Sequence, residues 1–349
     1  MSLWDDLRAL SLQVDGYAFE RVAATQAYGF ERVTTRVRLS GGGVDGLGED
    51  VSAYDTEDNT LHVTNPSLAL TGEWTLESFC ERLAELDQWA VAPEYDVARR
   101  WRNWAFESAA LDLALNQAGR ALHEIVGHEP GPLRFVNSLG LGDPPAFDPI
   151  QRRLDGHSGL RFKVDAVSAW TPALIDQVAA TGAVEIIDFK GQYGLEYGEL
   201  SDLLTMYERV IAAFPDALLE DAHDLPEVAE LLAPEADRIS YDAPIHTVED
   251  LDATPLKPVA VNIKPCRVGD LRSLIAVHAE TQKRGLVTYG GGMGEIDVGR
   301  GQIQLLAALF HADGPNDTAP SGYNSDTPAA DLPDSPLSVR PAPTGFRAL

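Results

Sequence analysis

The sequence predicts a βα-barrel, and three observations carry that prediction. Short apolar runs alternate with helical runs over the second half of the 349-residue chain. Five apolar runs carry a charged residue near their end, and these residues are Lys163, Asp188, Glu220, Asp242 and Lys264. They lie 25, 32, 22 and 22 positions apart, about what one strand, one helix and two loops consume. Strands at this interval with charged ends are typical of a barrel whose active site lies at the carboxyl ends of its strands.

Seven runs are predicted barrel strands, at 133–139, 159–166, 184–190, 216–221, 238–243, 259–264 and 285–290. Helical runs such as TPALIDQVAATG and LSDLLTMYERVIAAF lie between them. This alternation predicts parallel strands joined by right-handed crossovers. The sequence does not reveal an eighth strand.

The flanking regions have different patterns. Residues 13–75 alternate as β structure, and residues 75–126 have the three- and four-residue apolar spacing of helices. After Leu309 the chain becomes rich in Pro, Asp and Ser, which predicts an extended segment that lies over the surface or is partly disordered. We therefore predict an N-terminal α+β domain at 1–130, the barrel at 131–310 and a C-terminal extended segment at 311–349.

Composition narrows the class of protein. The net charge of −27, from 54 acidic and 27 basic residues, argues against a nucleic-acid partner, because phosphates would be repelled. Two cysteines in a chain of this length favour a reducing cytoplasm. No apolar run reaches 18 residues and no secretory signal is visible, so we expect no membrane association.

Asp188, Glu220 and Asp242 are the candidate metal ligands. Three carboxylates on successive strands, with no compensating arginine expected beside them, would repel one another in a barrel mouth. A divalent cation relieves that repulsion, and Mg²⁺ is the usual partner of oxygen-only ligands. The alternative is that each acid caps the helix that follows it.

Lysines are the candidate bases. Lys264 is expected to have a lowered pKa near other cations and to remove the proton α to a substrate carboxylate, unless it merely pairs with an acid. Lys163 and Asp165 share one face of their strand, as Asp188 and Lys190 do on the next. Lys190 is open to three interpretations: a second base, an anchor for the substrate carboxylate, or an ammonium that partly replaces the metal. A simple Asp165–Lys190 ion pair remains the alternative.

These motifs together resemble the enolase superfamily, of the mandelate racemase and muconate lactonizing enzyme type. The resemblance rests on ESAALDLALNQAGRALHEIVG, FKVD, IDF, LLED, SYDAPI, VNIKPCRVGDL and YGGGMGEIDVGRGQIQLLAAL, and it spans essentially the whole chain. It implies an α+β capping domain, a modified TIM barrel of the (β/α)7β type, and a C-terminal segment that returns to the cap. It also implies one Mg²⁺ per subunit, held by the three acids, with acid/base lysines on the second and sixth strands.

The chain departs from the family pattern at two strands. Members often have Lys-x-Lys on the second strand, where this chain has Lys163-Val164-Asp165, so either Lys163 is the base with Arg161 in the preceding place, or Asp165 stands at the base position. Members usually have Asp-x-Asn on the third strand, where this chain has Lys190 as the third residue. That lysine defines a subgroup with Asp-x-Lys and bears on metal occupancy.

Five residues are predicted to bind substrate, and Arg161, just before the second barrel strand, is one of them. Tyr28 lies in the segment that corresponds to the family's specificity loop in the cap. Gly292 and Met293 belong to a glycine-rich loop whose backbone N–H groups could meet a substrate oxygen, and Glu295 resembles a family acid near the eighth strand.

The leading functional prediction is an isomerase or lyase that acts on a small carboxylate through an enediolate, as an epimerase or racemase, a dehydratase or a cycloisomerase. A Schiff-base lyase that uses Lys264 as its nucleophile is one alternative. A catalytically silent carboxylate-binding barrel, in which Lys190 replaces the metal, is another. We also expect a homo-oligomer.

Overall fold

The computed structural model describes residues 2–26, 29–194 and 198–349, and its N-terminal part is an α+β cap. The cap strands are β1 (Ser11–Val14), β2 (Gly16–Thr25), β3 (Glu31–Gly41), β4 (Val44–Asp50) and β5 (Gly72–Thr75). The cap helices are α1 (Leu3–Leu7), α2 (Leu61–Thr64), α3 (Leu76–Ala84), α4 (Ala98–Ala118) and α5 (Leu122–Val126). Strands β2, β3 and β4 form an antiparallel sheet, and β1 pairs antiparallel with β5.

The rest of the chain forms a curled sheet of parallel strands flanked by helices. Its strands are β6 (Asn137–Leu139), β7 (Phe162–Asp165), β8 (Val184–Asp188), β9 (Leu218–Glu220), β10 (Ile239–Tyr241), β11 (Ala260–Ile263) and β12 (Val287–Gly290). Its helices are α6 (Asp148–Gly156), α7 (Pro172–Ala180), α8 (Leu200–Ala213), α9 (Pro226–Leu232), α10 (Asp250–Ala253), α11 (Pro265–Val268), α12 (Leu271–Arg284) and α13 (Val298–Phe310). The strands pair in chain order, and each predicted barrel run contains one of them, so the predicted fold class is confirmed.

A two-residue segment joins the edges of this sheet. Asn316 forms a parallel bridge with Phe135, and Asp317 forms one with Gly291, next to the first and last strands. The N–H of Asp317 donates to the carbonyl of Gly290 at 2.7 Å. The segment takes the place of the eighth strand, and it has no apolar run that sequence analysis could recognise.

Local sequence explains where the elements begin and end. Strand β11 reads AVNI and is buried at every position, as expected for a parallel strand covered on both faces. Helix α12 begins after Asp270, whose side chain accepts the N–H of Ser273 at 2.7 Å. It ends at Gly285 with φ of 68°, and α4 ends in the same way at Gly119 with φ of 65°.

Helix α4 fixes the cap to the barrel. The N–H of Leu271 donates to Glu107 at 2.7 Å, and the Asn103 amide donates to the carbonyl of Gly269 at 2.7 Å. Glu107 and Asn103 belong to α4, and their barrel partners Leu271 and Gly269 lie at or just before the start of α12, so the longest cap helix is bound to the barrel wall.

Strands β3 and β4 are bound above the loop that follows β12. Glu49 accepts the N–H groups of Ile296 and Gly299 at 2.8 and 2.9 Å. Arg36 donates to both carboxylate oxygens of Asp297, at 2.6 and 2.8 Å. The cap strands therefore cover the carboxyl ends of the barrel strands.

The residues after Leu309 pack into the protein. Tyr323 and Phe346 are fully buried. The N–H of Phe346 donates to Asp112 of α4 at 2.7 Å, and the Arg347 guanidinium donates to the same carboxylate at 2.6 Å. Most side chains after residue 320 are half-buried or exposed, and the buried Tyr323 and Phe346 anchor the stretch, so the segment lies along the surface and returns to the cap as the resemblance implies.

Within residues 2–26, 29–194 and 198–349, none of the helices has both the length and the apolar character needed to cross a bilayer.

Burial of Glu107 makes folding stability depend on pH. Burial raises the pKa of Glu107 to about 7 from its ordinary value of 4.5, although the Leu271 N–H partly opposes this. Between these two values only the unfolded chain releases the proton, so the free energy of unfolding falls as pH rises from about 4.5 to 7. The expected loss is on the order of 3 kcal/mol.

We expect Glu107→Gln to reduce this pH dependence, as measured by urea unfolding at pH 5 and pH 8. The exposed Glu81→Gln is the control and should leave the dependence unchanged. A variant slope equal to that of the unsubstituted protein would show that Glu107 is not the titrating group.

Candidate active site

The three candidate metal ligands converge. Asp188 ends β8, Glu220 ends β9 and Asp242 directly follows β10. One carboxylate oxygen from each lies within 4.8 Å of the others, and all three side chains are buried. The register of the parallel strands brings this about, since Asp188 pairs with Glu220 across β8 and β9.

Each acid of the trio has an ammonium partner. Lys163 Nζ lies 3.0 Å from Asp188 Oδ2 and also contacts Glu220. Lys264 Nζ lies 2.7 Å from Asp242 Oδ2. The structure therefore brings Lys163 and Lys264, two of the three predicted catalytic lysines, to the acid trio.

Lys190 lies in the turn after β8, and its ammonium belongs to the same group of charges. Its ammonium contacts Asp188 and lies 3.2 Å from Asp165 Oδ1, so the Asp165–Lys190 ion pair forms together with a second pair to the metal acid. Strand β8 ends at Asp188, and Lys190 has φ of 54° in the turn that follows. The sequence interpretation that Lys190 shares a strand face with Asp188 is wrong, since a left-handed turn returns its side chain to the acid.

Arg267 corrects the expectation that no arginine compensates the acids. Its Nε lies 3.3 Å from Asp242 Oδ1, and the residue is buried in the short helix α11. Glu220 has a further partner as well, because the buried Tyr289 hydroxyl donates to it. The acid trio is thus balanced by protein groups from several elements.

The acids have different pKa values. Burial acts to raise the pKa of Asp188, but Lys163 and Lys190 outweigh it and hold the pKa well below its usual value. Burial likewise opposes Arg267 and Lys264 at Asp242, where the two cations lower the pKa to about 2.

Glu220 differs from its two neighbours. Burial and repulsion from Asp188 and Asp242 raise the pKa of Glu220 to about 8, although Lys163 acts in the opposite direction. Burial and the charges of Asp242 and Asp188 also raise the pKa of the adjacent Asp221, to about 7. Glu220 and Asp221 therefore give up their charge more readily than Asp188 and Asp242 do.

The expected lowering of the Lys264 pKa is wrong for this arrangement. Burial and the neighbouring Lys163 lower the pKa of Lys264, but the Asp242 carboxylate at 2.7 Å outweighs them and raises it. The alternative from sequence, that Lys264 pairs with an acid, is present in the structure, and this pairing sets the direction of the pKa shift.

Asp221 is a supporting residue that sequence reasoning passed over. It is fully buried with φ of 50°, and its two carboxylate oxygens accept the N–H groups of Asp242 and Ala243 at 2.8 and 2.9 Å. These bonds fix the end of β10 so that Asp242 turns inward. The signal was present as the second acid of LLED.

A cavity with two lobes lies between the cap and the carboxyl ends of the strands. The lysine lobe, of about 610 Å³, is lined by Lys163, Lys190, Lys264 and Asp165 among others. The arginine lobe, of about 360 Å³, is lined by Arg32, Arg152 and Arg300 among others. The two lobes share lining residues, namely Tyr54, Ser138, Asp165, Gly292, Gly294 and Asp317. One ligand could therefore extend through both.

The predicted substrate-binding residues have different positions. Gly292 and Met293 line the lysine lobe. Glu295 is buried below the loop and accepts the Met293 N–H at 2.8 Å, so that N–H is already used. Arg161 is not brought to the cavity, because it precedes β7 and its guanidinium lies 3.8 Å from Glu185 near the amino end of β8. Tyr28 lies outside the described residues.

The acid trio fits a hard divalent cation. Its donors are buried carboxylate oxygens within 4.8 Å of one another, and oxygen-only sets of this kind suit Mg²⁺. Among the described residues, neither oxygen of Asp242 has a hydrogen bond of normal geometry, although two cations lie close to them. A bound divalent metal ion would compete with Lys163 and Lys190 for the charge of these carboxylates.

The barrel, its cap and the acids on successive strands define the class of protein as one with the enolase-superfamily fold, so the fold that the resemblance implies is confirmed. Within this class, the chain belongs to the family named Domain of unknown function (DUF8230). The N-terminal domain of that family matches residues 5–125, and its C-terminal domain matches residues 129–325.

Three relatives illustrate the likeness. An o-succinylbenzoate synthase of Geobacillus kaustophilus is 27% identical over 275 residues, which are 73% of this chain and 70% of that protein. A mandelate racemase/muconate lactonizing protein from Herpetosiphon aurantiacus has a TM-score of 0.68 at 16% identity, with 97% of this chain and 98% of that chain covered. A dipeptide epimerase from Methylococcus capsulatus, complexed with Mg ion, has a TM-score of 0.65 at 19% identity, with 87% and 89% covered.

Proposed function

We propose that this protein is a Mg²⁺-dependent enzyme that removes the proton α to a substrate carboxylate, with epimerisation or racemisation, dehydration or cycloisomerisation as the outcome. One observation carries the proposal. Three buried carboxylates converge within 4.8 Å, and the Lys264 ammonium lies 2.7 Å from one of them in the same cavity. A metal site and a proton acceptor in direct contact are what this chemistry requires.

Asp188, Glu220 and Asp242 would hold the metal. When bound, Mg²⁺ supplies positive charge that stabilises the enediolate and draws the charge of Asp242 away from Lys264. Lys264 then accepts the α-proton and returns it to the same carbon or to a leaving group. Lys163 and Lys190 would bind the substrate carboxylate or exchange a second proton, and their position in the lining of the lysine lobe supports these roles.

The apolar residues that line the lysine lobe favour a substrate that carries an apolar group. Phe189, Tyr193, Met206 and Met293 line it together with the lysines. Phe189 is itself supported by Tyr207, whose ring stacks on it with centroids 4.0 Å apart. A carboxylate that carries an apolar or aromatic substituent fits a lobe of this composition.

The relatives support this class of reaction without selecting one member. Their names describe a synthase of o-succinylbenzoate and an epimerase of dipeptides, and the latter was observed with Mg ion. A small-molecule carboxylate substrate, a homo-oligomeric state and a cytoplasmic location are proposed on the sequence alone.

Solvent-deuterium exchange tests the proposal. We expect a library of carboxylic acids, incubated with the protein in D₂O and Mg²⁺, to contain at least one acid that gains one mass unit at its α-carbon. Exchange should stop when EDTA removes the metal, and calorimetry should show one Mg²⁺ bound per chain. Mg²⁺ binding with no exchange on any acid would contradict the assignment of an enzyme.

A catalytically silent barrel is the second candidate, and the contact of Lys190 with Asp188 favours it. In that case calorimetry would show no Mg²⁺ binding, while carboxylates would still bind. A Schiff-base lyase would instead leave a covalent adduct on Lys264 after borohydride treatment with a keto acid.

A further inference from the structure

The arginine lobe contains three guanidinium groups that lack an acidic partner. Among the described residues, Arg32, Arg152 and Arg300 form no ion pair within 4 Å. Arg152 is exposed and lines the lobe, and the one hydrogen bond that the Arg300 side chain forms with a described residue is to the carbonyl of Glu295, at 3.3 Å. In a chain with 54 acidic and 27 basic residues, unpaired arginines that meet in one concave site stand apart from the general charge pattern.

Arg32 is held in place by neutral groups. Its guanidinium lies 3.6 Å from the centre of the Tyr54 ring and 5.0 Å from that of Phe30, and it donates to the Tyr54 hydroxyl. Burial lowers the pKa of Arg32, although the neighbouring Tyr54 and Glu295 act in the opposite direction. The side chain is thus stacked and partly desolvated without a carboxylate in contact.

The acids of the arginine lobe do not cancel this charge. Asp165 is already paired with Lys190 at 3.2 Å. Asp317 and Asp326 are the other acids of the lining. Burial raises the pKa of Asp317, and Lys163, Lys264 and Arg300 act against that. Among the described residues, no ion pair within 4 Å joins either acid to Arg32, Arg152 or Arg300. Arg153 is a fourth arginine of the lining, but its guanidinium is already used, since it donates to Asn137 and to backbone carbonyls.

An oxyanion is the ligand that such a group of arginines recognises. The guanidinium is planar, always charged and matched to carboxylate or phosphate oxygens. The arginine lobe opens into the lysine lobe through shared lining residues, among them Asp165, Gly292 and Asp317. A ligand with its reacting end at the lysines therefore has its other end within reach of the arginines.

We infer that the arginine lobe, defined by Arg32, Arg152 and Arg300, binds a second anionic group of the substrate, so that the protein acts on dianionic acids. The position of the first carboxylate, at the acid trio, rests on the proposed function above. The second group is a carboxylate or a phosphate, which share the same recognition chemistry.

Calorimetry with defined probes tests this inference without any need for turnover. The probes are straight-chain dicarboxylic acids from succinate to suberate, their mono-methyl esters, and ω-phosphonocarboxylic acids of the same lengths, each with and without Mg²⁺. We expect at least one diacid to bind about tenfold more tightly than its half-ester. The phosphonates show which of the two oxyanions is preferred.

Arginine variants then locate the effect. Arg152→Gln and Arg32→Gln should each lower the ratio of diacid affinity to half-ester affinity severalfold. The affinity for the half-ester itself should stay unchanged. Arg272→Gln, on the exposed face of α12, is the matched control. Among the described residues Arg152 forms no ion pair or side-chain hydrogen bond, and it is exposed, so its substitution should leave the fold intact.

The outcomes separate the two proposals. Half-ester binding that needs Mg²⁺ reports on the acid trio and on the proposed function, whereas the ratio and its loss report on the arginine lobe. The inference would be overturned by any of three results. These are an affinity ratio of diacid to half-ester near one at every chain length, a ratio that both variants preserve, or no binding of any dianion.

Discussion

Substitution of Lys264 by methionine is expected to lower α-proton exchange about 1,000-fold, within the range that removal of a general base produces. Lys264 is 5% exposed and lies beside Asp242 in the lysine lobe, so a thioether of similar length fills its place. Asp242 keeps Arg267 as a partner at 3.3 Å, which limits the charge left unpaired by the change. Exchange is measured by mass spectrometry in D₂O with the acid that the unsubstituted protein labels best.

Two controls separate a lost base from a lost fold. Mg²⁺ affinity of Lys264→Met, measured by calorimetry, should stay within about threefold of the original, since all three acids remain. The exposed Lys257→Met should keep full exchange. Exchange retained by Lys264→Met would move the base to Lys163 or Lys190.

The sequence could predict the acid trio because its signal is local and repeated. Each acid follows a short apolar run, and parallel strands bring their carboxyl ends to one edge of a sheet. The position of Asp188, Glu220 and Asp242 then follows from strand spacing alone. The same reasoning placed Lys163 and Lys264 on strand ends that face the same cavity.

Residues outside this repeat could not be predicted in the same way. Arg267 lies in a helical turn after β11, and Asp317 lies in a two-residue bridge without an apolar run. Both reach the site through tertiary packing. Lys190 shows a third cause, because it reaches Asp188 through a left-handed turn after the strand and not along a shared strand face.

Residues of the cap that line the cavity were even harder to predict from the sequence. Arg32 and Tyr54 lie more than a hundred positions before the first barrel acid, and only the docking of β3 and β4 brings them over the barrel mouth. That docking depends on Glu49 and Arg36, whose partners in the barrel have no pattern in common. Long-range contacts between a cap and a barrel leave little trace in one sequence.

The last prediction uses Glu220, because it can lose its charge at less cost than its neighbours. In Glu220→Gln, Lys163 keeps Asp188 at 3.0 Å, and the Tyr289 hydroxyl keeps an oxygen acceptor. In Asp242→Asn, by contrast, Lys264 and Arg267 both lose their carboxylate, which leaves two buried cations without an acid. Glu220→Gln should therefore remain folded, while Asp242→Asn should be destabilised by several kcal/mol.

We expect Mg²⁺ affinity of Glu220→Gln to fall about 100-fold, since the amide offers one neutral oxygen in place of a carboxylate. Calorimetry measures the affinity, and urea unfolding without metal shows whether the fold is retained. Loss of affinity in a folded variant can only come from the metal site, whereas loss in an unfolded one would be ambiguous. Unchanged Mg²⁺ affinity would mean that Glu220 is not a ligand, and the cation would then have to bind Asp188 and Asp242 without it.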